Sequence, residues 1–277
     1  MKKIIILQIF LIFSLILPSH AETVASFNTL HLGWSGKDYI ETAKALQDFD
    51  IVGLQEVMKE TGLIQLVNYL NLNTGSQWKY LISENKVGTT HYKEYYGYVW
   101  KGNKVKLIKK LGFYQELSPN DFIREPYAAI FKINNFDFTF VLCHSIFGKR
   151  KSDRRNEAQQ LFKVYHYFQT INGTEQDIII AGDFNLPGND RGFQKLLSIK
   201  DMTYGIHPSN KTTLGKYGTL VSSYDNFFYN RTDTVEIFYC EVHNYIEIYG
   251  GIPTISRKKV SDHLPIFCEV TTNIDDD

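Results

Sequence analysis

Short runs of strand length recur along this chain, and that recurrence limits its possible folds more than any other feature. The runs 24–28, 51–55, 97–100, 128–133, 136–143, 177–181, 225–229 and 266–270 concentrate Val, Ile, Phe and Tyr. Helical patterns separate some of them. Residues 37–48 carry apolar positions at 40, 43 and 46, residues 153–168 repeat them at 158, 161, 162, 164, 165 and 168, and residues 190–197 suit a short third helix. Other runs are joined by tight polar turns such as Asn134-Asn135. Helical crossovers allow parallel neighbours and tight turns force antiparallel ones, so the sheets are expected to be mixed. The predicted class is α/β (α+β): two packed mixed β-sheets flanked by helices, a four-layer sandwich.

The N-terminus reads differently. Lys2 and Lys3 precede an apolar run over residues 4–17, and Ser19-His20-Ala21 closes it with small residues. This is the layout of a secretory signal peptide, and the run falls short of the roughly 20 residues of a spanning helix. Residues 1–21 are therefore expected to be cleaved, leaving residues 22–277 as one domain, secreted or periplasmic, with no stable membrane association.

With 43% hydrophobic and 22% charged residues, the chain is ordinary globular material. Its 30 basic and 30 acidic residues cancel, which excludes a protein that coats nucleic acid by charge alone. It does not exclude an enzyme that grips phosphate locally. Three cysteines, Cys143, Cys240 and Cys268, allow at most one disulfide. Cys143 and Cys268 lie in apolar runs, so both are expected as buried thiols.

Polar residues gather at the ends of the strand-like runs. Asn28 ends one, Gln55-Glu56 another and His144 a third; Asp183 and Asn185 follow Ile-Ile-Ile-Ala-Gly, and Asp262-His263 precede Leu-Pro-Ile-Phe. Loops at strand ends are where sheet enzymes build their sites. Each residue alone suits a turn, a cap or a satisfied interior histidine; the set together points to chemistry.

In order along the chain, Phe27-Asn28, Gln55-Glu56-Val57, His144-Ser145, Gly182-Asp183-Phe184-Asn185 and Ser261-Asp262-His263-Leu264-Pro265 resemble the endonuclease/exonuclease/phosphatase superfamily. Tyr92-Lys93-Glu94, Lys101 to Val105, Arg124-Glu125-Pro126 and Tyr224-Asp225 narrow the resemblance to its deoxyribonuclease I-like branch. It implies a secreted, metal-dependent endonuclease acting on double-stranded DNA with low sequence preference and needing no protein partner. Mg²⁺ is the implied ion, with Mn²⁺ as its substitute, held by Glu56 with Asn28 and Asp262 as neighbours. His144 and His263 become general acid and base, oriented by Glu94 and Asp225. Asp183 holds the attacking water, Asn185 contacts the phosphate, Arg124 clamps it, and Tyr92 reaches the minor groove.

The match has departures. Leu186-Pro187-Gly188 and residues 220–223 lack the branch's cysteines, which removes the sequence support for a calcium-linked stabilisation there. Met58 stands where the branch has a DNA-contacting arginine, with Lys59 next to it as a substitute. A basic cluster, Lys149, Arg150, Lys151, Arg154 and Arg155, follows His144 and suits either a DNA-backbone contact or a solvated helix start. The alternative activity is hydrolysis of phospholipid headgroups, sphingomyelinase-like or toxin-subunit-like. It requires an exposed apolar loop, for which residues 250–255 are the candidate.

Overall fold

The computed structural model describes residues 21–116, 121–273 and 275. Residues 1–20, and with them nearly all of the expected signal peptide, lie outside the described residues. In chain order the elements are β1 (Glu22–Leu32), α1 (Tyr39–Leu46), β2 (Ile51–Val57), α2 (Glu60–Thr74), β3 (Trp78–Ile82), β4 (Val87–Gly88), β5 (Lys93–Lys101), β6 (Val105–Phe113), β7 (Tyr127–Ile133) and β8 (Phe136–His144). Then come α3 (Lys151–Ala158), α4 (Leu161–Ile171), β9 (Ile178–Asp183), α5 (Gln194–Leu197), β10 (Met202–Tyr204), β11 (Asp225–Asn230), β12 (Ile237–Val242), α6 (Tyr245–Ile248), α7 (Pro253–Lys259) and β13 (Ile266–Val270). A 3₁₀ turn, Arg191–Phe193, leads into α5.

One sheet has the order β12-β13-β1-β2-β5-β3, with β4 added beside β5; the other runs β10-β11-β9-β8-β7-β6. Each contains a parallel pair, β1/β2 and β8/β9, among antiparallel neighbours. Both sheets are mixed, as the two kinds of connection require. Between them lies an aromatic layer that includes Tyr98, Trp100, Phe131, Phe138, Phe140 and Phe227. Alternate residues face outward. Val52 and Leu54 meet Leu46, Leu63, Leu66 and Leu70 of α1 and α2. On the other sheet Val141 and Ile180 meet Val164 and Phe168 of α4. Strands buried on both faces lose the apolar–polar alternation, which explains the continuous apolar run in β8.

The structure changes the sequence reading in several places. The stripe over 153–168 is two helices, because Gln160 N–H bonds Glu157 O in a tightened turn that ends α3. α2, α6 and α7 and the strands β3, β4, β10 and β12 were not anticipated. Cys268 is not a free thiol: it is disulfide-bonded to Cys240 on the neighbouring strand β12, directly opposite it in register. An apolar run reports burial, and burial suits a disulfide as well as a thiol; the missing information was the pairing of β12 with β13. Cys143 is the buried free cysteine, as expected.

Candidate active site

One end of the two sheets collects the polar residues. β1 and β2 run parallel, so Asn28 lies beside Gln55 at their shared C-terminal end. In the other sheet β8 and β9 place His144 beside Asp183, and antiparallel β11 places Asp225 on the other side of Asp183. Gly182 is what lets β8 and β9 close up there. Its φ is +147°, and a Cβ would fall 1.8 Å from the Cys143 carbonyl oxygen. Asn28 ties the sheets together, its amide nitrogen lying 3.1 Å from Glu56 Oε1 and 3.2 Å from Asp183 Oδ2.

Two imidazoles converge on Asp183. His144 Nδ1 lies 2.7 Å from Glu94 Oε1, and its Nε2 is 3.6 Å from Asp183 Oδ2. His263 Nδ1 lies 2.8 Å from Asp225 Oδ2, and its Nε2 is 3.5 Å from the same Asp183 oxygen. Each histidine thus has a carboxylate behind it and its outer nitrogen turned to a shared point. Supporting bonds fix both. The His144 N–H donates to the Tyr96 hydroxyl, Thr212 Oγ1 donates to Asp225 Oδ2, and Ser261 Oγ accepts from the His263 N–H while donating to the Asn28 carbonyl.

Burial disfavours a charged imidazole, but at His263 the carboxylates of Asp225, Asp183 and Asp262 prevail and hold it well above the ordinary histidine range. His144 is also raised, with Glu94 prevailing over burial and the opposing Arg124 charge. A histidine with a raised folded-state pKa adds stability below its unfolded value, about 6.5. That contribution fades as pH rises through the folded-state value. Proton NMR of the His263 ring should therefore show titration above ~6.5. Asp225→Asn should move it downward, because the variant lacks the charge that favours the imidazolium; an unmoved titration would dissociate the pair.

Glu56 sits in a left-handed conformation, φ +58°, which is costly for a residue with a side chain. Its N–H reaches Glu94 Oε1 at 3.2 Å, and its Oε2 accepts the His31 N–H at 3.1 Å, with His31 Nε2 at 3.3 Å. Burial works against its charge, but His144, His31 and the Asn28 amide hold the carboxyl below its usual range. Lys37 stands nearby and donates to the Val260 carbonyl; burial lowers it to about 8 against the pull of Glu56 and Asp262. Asp262 turns its Oδ2 to Arg257, 3.3 Å away.

At this end of the sheets two places offer metal-ligand chemistry, apart from a further group, Asp177, Glu236 and Asp275. Glu56, anionic, offers the hard carboxylate oxygens that Mg²⁺ or Mn²⁺ prefers, while Asn28 turns its NH₂ to that carboxylate and its amide oxygen to the Leu30 N–H. Asp183, Asp225 and His263 also lie close enough to share an ion. There, however, both ring nitrogens of His263 face carboxylates and its pKa is raised, so the group is built to hold a proton, and a protonated imidazole cannot ligate. The residues fit a cation at Glu56.

The other expected site residues are accounted for. Arg124 pairs with Glu94 at 3.1 Å and donates to the His144 carbonyl at 3.4 Å. Tyr92 is half-buried, between the Arg124 guanidinium, 5.4 Å from its ring, and the edge of His31. Asn185, at φ +53°, donates through its side chain to the Ser145 carbonyl. In the basic cluster, Lys151 and Arg155 are committed to Asp190, while Arg154 stacks on Phe147. That leaves Lys149 and Arg150 facing solvent.

Sequence reasoning missed His31, Lys37 and Glu157. Glu157 on α3 is buried, and its carboxylate accepts the N–H of Ile123 at 2.8 Å and of Ile146 at 2.7 Å. It straps together the loops that carry Arg124 and His144. Glu157→Ala would leave two part-buried loop N–H donors unpaired and should lower stability by about 1–3 kcal/mol. The denaturation midpoint reads this; a shift within ~0.5 kcal/mol would show the loops hold without the strap.

Comparison with known proteins agrees with this geometry. The model for the Endonuclease/Exonuclease/phosphatase family matches residues 25–263. A deoxyribonuclease from Thioalkalivibrio sp. (strain K90mix) is 27% identical over 266 residues, covering 91% of this chain and 72% of that protein. Deoxyribonuclease-1 of Equus caballus is 31% identical over 150 residues, 50% of each protein. Among solved structures, a mannosyl-6-phosphatase from Bacteroides thetaiotaomicron superposes with a TM-score of 0.64 at 18% identity, covering 91% of this chain and 100% of that one. This last likeness shows the fold alone.

Proposed function

The chain belongs to the endonuclease/exonuclease/phosphatase family, and from that premise we propose that it is a secreted, divalent-metal-dependent endonuclease hydrolysing DNA with low sequence preference. The observation that carries the reading is the pair of carboxylate-backed histidines whose Nε2 atoms lie 3.5 and 3.6 Å from one Asp183 oxygen, beside the anionic Glu56. Phosphodiester hydrolysis needs one proton taken from water and one given to the leaving oxygen, and two such imidazoles on a shared point suit that exchange.

Glu56, with Asn28 beside it and Asp262 at the margin, would hold Mg²⁺. The ion would supply charge relief on the phosphate and the leaving oxygen. The chain's own residues do the rest. Glu94 and Asp225 orient the two imidazoles and stabilise their charged forms. Asp183 accepts a hydrogen bond from the attacking water. Asn185 and Arg124 face the phosphate, Arg124 with the guanidinium edge not used by Glu94. Contacts to phosphate carry no base identity, which accounts for low sequence preference. The two deoxyribonuclease relatives support DNA as the substrate. The Cys240–Cys268 disulfide supports an oxidising compartment, in keeping with the signal-like N-terminus.

A second reading, hydrolysis of phospholipid headgroups, has one observation in its favour: Ile248, Ile252 and Ile255 are exposed around the start of α7. A substrate panel separates the two. With Mg²⁺, supercoiled plasmid should be nicked while sphingomyelin vesicles release no headgroup. Headgroup release with intact plasmid would overturn the DNA reading.

A further inference from the structure

The chain has three tryptophans. Trp78 and Trp100 are each 4% exposed, whereas Trp34 is 46% exposed. Trp34 is not a stray surface ring. It stacks on His31 with ring centroids 4.1 Å apart and planes 19° from parallel. His31 in turn bonds Glu56 through its N–H and sets Nε2 3.3 Å from the same carboxylate. Trp34 therefore stands one ring outward from the carboxylate that marks the phosphate site.

The backbone fixes it there. After Asn28 the chain bulges out of β1, with Leu30 at φ +44°, His31 at +62° and Gly33 at +101°. The Trp34 N–H closes the turn on the His31 carbonyl at 3.0 Å. A Cβ on Gly33 would lie 2.9 Å from the Lys59 Cβ, and one on Gly62 would lie 2.5 Å from the Gly33 Cα, so the turn rests closely on the start of α2. One exposed cation borders it, Lys59 beside Gly33, and the Tyr92 ring meets the edge of His31. Aromatic rings interleaved with cations form the surface that single strands bind. Every base has a face to stack, and the cations follow the backbone.

We propose that Trp34, seated on His31 and bordered by Lys59, stacks one unpaired nucleobase next to the phosphate being cleaved, so that the enzyme favours DNA with single-stranded character over intact duplex, a departure from the double-stranded substrate that the resemblance implies. The inference rests on the nuclease reading above and names the form of substrate it takes. A base in a duplex has both faces covered by its neighbours, and taking it out costs a few kcal/mol. Only a free strand, a gap or a frayed end offers that face without the cost.

The test uses the full chain with Mg²⁺. Adding a phosphorothioate dT oligonucleotide, which resists cleavage, should quench tryptophan emission saturably, and Trp34→Phe should abolish the change, since Trp78 and Trp100 are buried. The ratio of kcat/KM on single-stranded dT to kcat/KM on a closed hairpin duplex should fall about tenfold in Trp34→Ala, mainly through KM, and recover largely in Trp34→Phe. Equal losses on both substrates, or no quenching from a wild-type protein that cleaves DNA, would overturn the platform. Quenching without any cleavage by the wild type would instead overturn the nuclease reading and leave the platform standing.

Discussion

Replacing either His144 or His263 with alanine is expected to lower DNA cleavage at least ~10²-fold, the usual size of a general acid–base contribution. The geometry gives the reason. Each ring is held by a carboxylate on Nδ1 and turns Nε2 to the same Asp183 oxygen, so removing either leaves one of the two proton transfers without its group. Groups that act in one step are not additive. The double variant should therefore be close to the slower single variant. A double-variant rate well below both singles would mean the two rings act in separate steps. Their burial raises the question of folding, so each variant should be checked by its denaturation midpoint. Removing a raised-pKa imidazole withdraws a stabilising contribution at low pH and little at high pH.

Glu56→Gln should abolish the response of cleavage to Mg²⁺. The substitution keeps shape and removes the charge. Glutamine would also set an amide donor against the Asn28 amide or the His31 N–H, both of which point at the carboxylate. The loss should appear in two readouts: a flat Mg²⁺ dependence of rate, and no heat of Mg²⁺ binding in calorimetry. An unchanged Mg²⁺ titration would move the ligand elsewhere, with the Asp183 and Asp225 carboxylates as the next candidates.

Much of this site was legible in the sequence because strand ends are legible. An apolar run that stops at Asn28, Glu56, His144 or Asp183 shows where a strand leaves the core, and parallel pairing then puts those ends together. The mixed sheets followed from the mixture of helical crossovers and tight turns, and their packing as two layers from the many short strands in one domain. What stayed hidden depends on contacts remote in sequence. Glu157 looks like one more charged residue on the polar face of a helix; only the folded chain shows two loop amides on its carboxylate. His31 lies just past Asn28, but a bulge with two left-handed residues, Leu30 and His31, has no glycine to announce it. β12 escaped notice because Phe238 and Tyr239 are exposed on an edge strand, so no apolar–polar alternation marks it; without β12 the partner of Cys268 was invisible. In α2, Leu63, Leu66, Val67 and Leu70 do follow helical spacing, but Asn68, Asn71 and Asn73, poor helix formers, dilute the signal.

The most direct test of the account is plasmid nicking by the purified protein with Mg²⁺, with EDTA, and with His144→Ala in Mg²⁺. The account predicts open-circular plasmid in the first, none in the second and at least ~10²-fold less in the third. Nicking that persists in EDTA, or that survives loss of His144, would contradict it.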